Sequence, residues 1–177
     1  MKNYYFDDQQ LRLRKKRYAL RIRVVDDKKF FLTLKYPAKQ AKNGPRAFKV
    51  RVEHEVPISR ALALKIIKRD QRIIDLNVRP ARILKRVFPK NVLSKIGPLG
   101  VVECRRTVVP LEKWLELEID RCKIFNKKFY EVEVETSNPL RVDKAIRSFL
   151  KEHGIPYHPI SRSKFARFVS EWKKRHH

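Results

Sequence analysis

The segment FYEVEVET (129–136) alternates apolar and acidic side chains. Successive side chains of a strand point to opposite faces, so an extended reading puts Tyr130, Val132 and Val134 on one face and Glu131, Glu133 and Glu135 on the other. Three carboxylates on one face present the oxygen ligands that hard cations take. The same reading sends Arg21 and Arg23 of YALRIRVV together, and Thr33 and Lys35 of FFLTLKY. It also aligns Arg51, Glu53 and Glu55 of VRVEHEV, and Glu116, Glu118 and Asp120 of WLELEID. One such strand is the ordinary solvent face of an antiparallel sheet. Segregation of acids and bases onto different strands instead suits a closed barrel whose interior holds metal ions and a polyanion, because phosphoryl oxygens take Arg and Lys.

The elements that would carry these residues follow from periodicity. Six segments read as strands: 18–25, 30–36, 48–56, 99–109, 114–120 and 129–136. Asp26 with Asp27, and Asn126 with Lys127, mark hairpin turns, so antiparallel pairing is expected. Between Ile58 and Lys90 the spacing becomes helical, with Ser59 as an N-cap for SRALALKIIKRD and Pro80 in the first turn of PARILKRVF. A third helix runs from Asn138 and Pro139 to near Gly154, and SRSKFARFVSEWKK forms a fourth. The expected fold is α+β, an antiparallel barrel with flanking helices in one domain over 1–177, with a helical insertion at about 58–90 and C-terminal helices from about 138.

Composition sets the bounds. The chain has 177 residues, 42% of them apolar and 10% aromatic, which suits a folded core. Lys and Arg number 44 against 19 Asp and Glu, a formal charge of +25 that attracts polyphosphate, nucleic acid or an anionic surface. No apolar run approaches the roughly 20 residues of a membrane span, and the N-terminus has no apolar signal core, so a soluble, intracellular, most simply cytoplasmic protein with no membrane partner is expected. Cys104 and Cys122 lack metal-site spacing and are read as reduced thiols. Trp114 and Trp172 read as packing anchors, Tyr4 and Tyr5 as outer-wall residues, and His54, His153 and His158 have no partner at motif spacing.

The run YYFDDQQLRLRKKRYALRIRVVDDKKFFLTLK, followed in order by RVEHEVPI, ECRRT, ELEID, FYEVEVE and SRSKFARF, resembles the CYTH, or triphosphate tunnel, family. The resemblance implies an eight-stranded barrel that binds and hydrolyses a nucleoside, inorganic or RNA 5′-triphosphate with Mg²⁺ or Mn²⁺. It assigns phosphate contacts to Arg21, Arg23, Lys35, Arg51, Lys164 and one Arg of ECRRT. Arg105 is favoured, with Glu103 and Thr107 beside it. Metal ligation falls to Glu53, Glu55, Asp120, Glu131 and Glu133, and the catalytic set is Glu131, Glu133 and Asp120. In the family mechanism, catalysis rests on placement and charge neutralisation during in-line attack of water.

The family opens with an ExExK strand, and no such motif occurs in this sequence. A truncated start, a strand supplied by a partner chain, and a degenerate tunnel that binds without hydrolysing are the three explanations. The last of these joins a second reading. The basic runs 12–17, 85–90 and 172–177 lie outside the strand interiors and suggest an RNA-facing surface, within a ribonucleoprotein complex.

Overall fold

The computed structural model describes residues 1–38, 51–134, 136–157 and 163–176. The strands are β1 (Lys2–Asp7), β2 (Ala19–Val25), β3 (Lys29–Pro37), β4 (Arg51–Pro57), β5 (Gly97–Glu112), β6 (Leu115–Ile124) and β7 (Lys127–Glu133). The helices are α1 (Arg12–Lys15), α2 (Arg60–Lys68), α3 (Arg79–Val87), α4 (Lys90–Leu93), α5 (Pro139–Glu152) and α6 (Lys164–His176). Phe48 to Val50, Glu135, His158, Ser161 and His177, included in the readings above, lie outside the described residues.

One antiparallel sheet runs in the order β4-β3-β2-β1-β5-β6-β7. It curls about a cavity of about 450 Å³ to which all seven strands contribute side chains. Among the described residues β4 and β7 end the sheet, so it is barrel-like but open along that seam, seven strands in place of eight.

Strand β1 corrects the expectation that pairing begins at Tyr18. Lys2–Asp7 is the central strand, bonded to β2 on one side and β5 on the other. Both of its faces are covered, so apolar side chains point both ways and the alternation that marks a half-buried strand is lost. Tyr4 and Phe6 go to the outer face; Tyr5, expected outside, is buried within, its ring stacked 4.6 Å from Phe165.

Helices α2, α3 and α4 close the outer face, where Leu20, Ile22, Leu32 and Leu34 meet Ile66 and Leu84. The Ser59 side chain accepts the Leu62 N–H, and Pro80 sits in the first turn of α3, as the caps predict. Helix α5, capped by Asn138, packs Val142 and Ile146 on the outer side of β6. Helix α6 is different, because it lies against the inner face. Phe165, Phe168, Val169 and Trp172 are buried against Tyr5, Val102, Cys104, Cys122 and Ile124, each such side chain contributing roughly 1.5–3 kcal/mol. Gly100 admits this helix. Its φ is +153°, and a Cβ there would meet the Phe168 ring at 3.0 Å.

The β5–β6 register sets Cys104 directly opposite Cys122, and the two are disulfide-bonded with Cα atoms 4.1 Å apart. This corrects the reading of two reduced thiols: a sequence separation of 18 conceals the pairing until register is fixed. No helix among the described residues is long and apolar enough to cross a membrane. Trp172 is a packing anchor, 3% exposed, but Trp114 is 45% exposed and carries Arg141 over its ring at 4.0 Å.

Behind β1, the YYFDD acids anchor the chain. Asp7 Oδ1 accepts the N–H groups of Asp8 and Leu13, and Oδ2 that of Arg14. Asp8 accepts the Arg12 N–H and its guanidinium. Both carboxylates are buried.

Candidate functional site

Strand register builds the cavity wall as rows of charge. Across β2, β3 and β4, Arg21 stands beside Thr33 and Thr33 beside Glu55; Lys35 stands beside Glu53. Arg21 Nη2 lies 3.2 Å from Glu53 Oε1, and Lys35 Nζ lies 2.7 Å from Glu53 Oε2. Arg23 Nη2 meets Glu55 Oε1 at 2.5 Å, while the Thr33 hydroxyl donates to Oε2. Arg51 also lines this side. Burial works to raise the Glu53 carboxyl, but Lys35 and then Arg21 outweigh it and hold it below the usual range. Arg21, Arg23, Lys35 and Arg51 therefore face two carboxylates, and positive charge is in excess.

Two of these guanidiniums keep an unused donor. The Nε–H groups of Arg21 and Arg23 are buried and have no acceptor among the described residues. A buried charged donor left unpaired costs free energy that an anionic ligand recovers.

The opposite wall is acidic. Arg106, Asp120 and Glu131 stand in one row across β5, β6 and β7, with Glu118 and Glu133 in the next. Arg106 donates to both Asp120 oxygens, at 2.8 and 2.7 Å, and to Glu133 at 2.9 Å, and is also paired with Glu118. Lys164 enters from the first turn of α6, its Nζ 2.8 Å from Asp120, 3.1 Å from Glu131 and 2.5 Å from Glu133. Arg167 Nε approaches Glu131 Oε1 to 3.1 Å without hydrogen-bond alignment, and that oxygen stays unsatisfied. Asp120 is fully buried. Burial would raise its carboxyl, but hydrogen bonds from Arg106 and Lys164 prevail and depress it. Burial likewise opposes the Lys164 charge, yet Glu133 and Asp120 prevail and raise its pKa.

The structure thus brings Arg21, Arg23, Lys35, Arg51, Glu53, Glu55, Asp120, Glu131, Glu133 and Lys164 to one cavity and its rim. Arg105 is corrected: it is exposed on the outer face opposite Arg121, and Arg106 is the inner arginine. The inner face of β5 is partly apolar, because Val102 and Cys104 pack under α6, so a search for alternating polar residues selects the wrong parity. Arg106 is the alternative that the sequence leaves open beside Arg105, whereas Asn3, which lines the cavity, and Arg167, which approaches Glu131, are not reached from the sequence. The signal that could find Arg167 is the three-residue step from Lys164, matched by Phe165 to Phe168, which puts both cations on one side of α6.

An antiparallel sheet curled around facing acidic and basic walls defines the tunnel class of fold. The CYTH domain family matches residues 1–169, and the chain belongs to that family. HpAC1 from Hippeastrum, assigned as an adenylyl cyclase and described as having a dominant triphosphatase activity, is 29% identical with a TM-score of 0.80, covering 96% of this chain and 81% of its own. A protein from Bacillus halodurans assigned as an adenylate cyclase is 22% identical with a TM-score of 0.73, covering 94% and 80%. A conserved hypothetical protein from Pyrococcus furiosus shares the fold at 19% identity and a TM-score of 0.53, covering 92% and 78%. No functionally curated protein matches the sequence.

The family is generally metal-dependent. In this chain the donor set does not fit a resident ion: no group of three acidic, His or Cys side chains among the described residues is arranged to hold one. Glu53 and Glu55 are occupied by Arg21, Lys35 and Arg23 on one wall, and the acids of β6 and β7 are drawn onto Lys164 and Arg106 on the other.

Proposed function

We propose that the tunnel binds the triphosphate of a nucleotide, of inorganic triphosphate or of an RNA 5′ end, and hydrolyses its terminal phosphoryl group. The carrying observation is the pair of buried, acceptor-less Nε–H donors on Arg21 and Arg23 beside Lys35 and Arg51. In this reading the basic wall takes the phosphoryl oxygens, and Glu131 Oε1, buried and unsatisfied, accepts a hydrogen bond from the attacking water. Water forms the new P–O bond as the bridging P–O bond breaks, releasing phosphate and the shortened polyphosphate. Asp120 and Glu133 position Lys164 and Arg106. The substrate would be the Mg²⁺ or Mn²⁺ complex of the triphosphate, the ion supplying charge neutralisation. The chain works as one tunnel domain.

Calorimetry with inorganic triphosphate and ATP tests the binding, and phosphate release tests the chemistry. Arg21→Ala is expected to weaken triphosphate binding by about 10- to 100-fold, the loss of a charged hydrogen-bonding pair. Glu131→Gln is expected to retain binding while phosphate release falls by about a hundredfold or more. Absence of triphosphate binding by the unaltered protein sinks the proposal.

A second reading, an RNA-binding surface, is favoured by one observation. Arg79, Arg82, Lys85 and Arg86 are exposed on α3 and make no ion pair among the described residues. Neutralising about four phosphates would cost roughly a hundredfold in affinity between about 50 and about 200 mM salt. Fluorescence anisotropy of a labelled RNA checks this; salt-independent binding counts against it.

A further inference from the structure

The acids of β6 and β7 pose a problem that the triphosphate reading does not resolve. Asp120, Glu131 and Glu133 project from adjacent strands toward a single point, but as they stand no three such groups among the described residues are arranged to hold a metal ion. At that point lies the ammonium of Lys164, 2.8, 3.1 and 2.5 Å from the three carboxylates. Its side chain is 10% exposed. We propose that Lys164 holds, in this chain, the position a resident divalent cation would take, so that the acid cluster is neutralised from within the protein and takes up no metal of its own.

Three features fix the ammonium there. First, α6 is pinned to the inner face by Phe165, Phe168, Val169 and Trp172, which fixes the backbone from which Lys164 reaches the acids. Second, Lys164 stands in the first turn of α6, where the helix dipole disfavours a cation; its position is therefore set by the carboxylates. Third, Arg106 is paired with Asp120, Glu118 and Glu133 from the other side, so that a second fixed cation adds to the neutralisation of the cluster. A divalent ion requires oxygens at about 2.0–2.6 Å and, in the case of Mg²⁺, retains several waters. Neither fits between carboxylates already closed upon an ammonium.

The inference concerns the unliganded tunnel and rests on carboxylate geometry, independently of whether triphosphate is hydrolysed. It predicts a gain of function. Removing the ammonium while keeping its aliphatic stem leaves three converging carboxylates compensated only by Arg106 and Arg167, and free to close on a cation.

Mn²⁺ titration of the full chain without triphosphate, followed by the electron paramagnetic resonance signal of free Mn²⁺, is the test. The unaltered protein is expected to leave the free signal undiminished. Lys164→Met is expected to take up one Mn²⁺ per chain at least about tenfold more tightly, and adding Glu131→Gln to that variant is expected to abolish the uptake. Stoichiometric Mn²⁺ uptake by the unaltered protein, lost in Asp120→Asn, overturns the proposal; so does a folded Lys164→Met variant that binds no better. If Lys164→Met does not fold, the result for the unaltered chain alone decides. Calorimetry with inorganic triphosphate in excess EDTA separates the two readings, since failure to bind there and with Mg²⁺ refutes the tunnel reading and leaves the Mn²⁺ result standing.

Discussion

Replacing Arg106 by Ala is expected to lower the unfolding free energy by about 3–5 kcal/mol, the cost of stripping one partner from a buried ionic cluster. Asp120 is fully buried and accepts hydrogen bonds from the Nε and Nη2 of the guanidinium, so the variant strands a carboxylate with only Lys164 to compensate it. Arg106→Lys restores charge but not the two parallel hydrogen bonds, and is expected to recover part of the loss. The pH dependence gives a second readout. Burial tends to raise the Asp120 carboxyl, but Arg106 and Lys164 depress it below its unfolded value. A depressed carboxyl contributes stability above its unfolded pKa, and the contribution is lost as pH falls through the folded one. The gap between the unaltered protein and Arg106→Ala is therefore expected to narrow below about pH 4. Urea unfolding as a function of pH measures both effects; a change under about 1 kcal/mol at neutral pH would contradict the ledger of contacts around Asp120.

Asp7→Ala has the second largest expected effect, a loss of about 2–4 kcal/mol, because the N–H groups of Asp8, Leu13 and Arg14 are left without their acceptor. Asp7→Asn keeps one acceptor oxygen and is expected to lie between. Here the pH slope has the opposite sign. Burial raises the Asp7 carboxyl from 3.8 to about 6, against the lowering influence of the three N–H groups. The folded chain then binds this proton more tightly than the unfolded one, so the Asp7 contribution is largest at low pH and declines as pH rises toward about 6. Thermal unfolding between those limits is expected to lose this component in Asp7→Asn. An unchanged pH profile would show that Asp7 does not titrate there.

The strands that were legible in the sequence are those with one covered face. In β2 and β3, Leu20, Ile22, Leu32 and Leu34 meet the helices while Arg21, Arg23, Thr33 and Lys35 turn inward, and alternation states this directly. Alternation fails where both faces are filled. β1 has helices behind it and α6 before it, and β5 changes character along its length, apolar inside at Val102 and Cys104 and charged at Arg106. That change misled the choice between Arg105 and Arg106. Which acid meets which base was also hidden, because pairing depends on register across strands far apart in sequence. Asp120 faces Arg106 through a hairpin, but Lys164 reaches the same carboxylate from a helix 44 positions later. The cysteines follow the same logic: composition describes each alone, and only register makes them neighbours.

The placement of α6 inside the curled sheet bears on how the molecule is made. All seven strands leave the ribosome before Lys164 does, so the nascent sheet carries Asp120, Glu131 and Glu133 with no ammonium among them and an apolar hollow beneath Tyr5, Val102 and Cys104. Closure of this fold is consequently a late event in synthesis. A chain stalled after β7 would expose both its acids and its inner hydrophobic surface, and the latter is what makes unfinished chains prone to aggregate and dependent on chaperones.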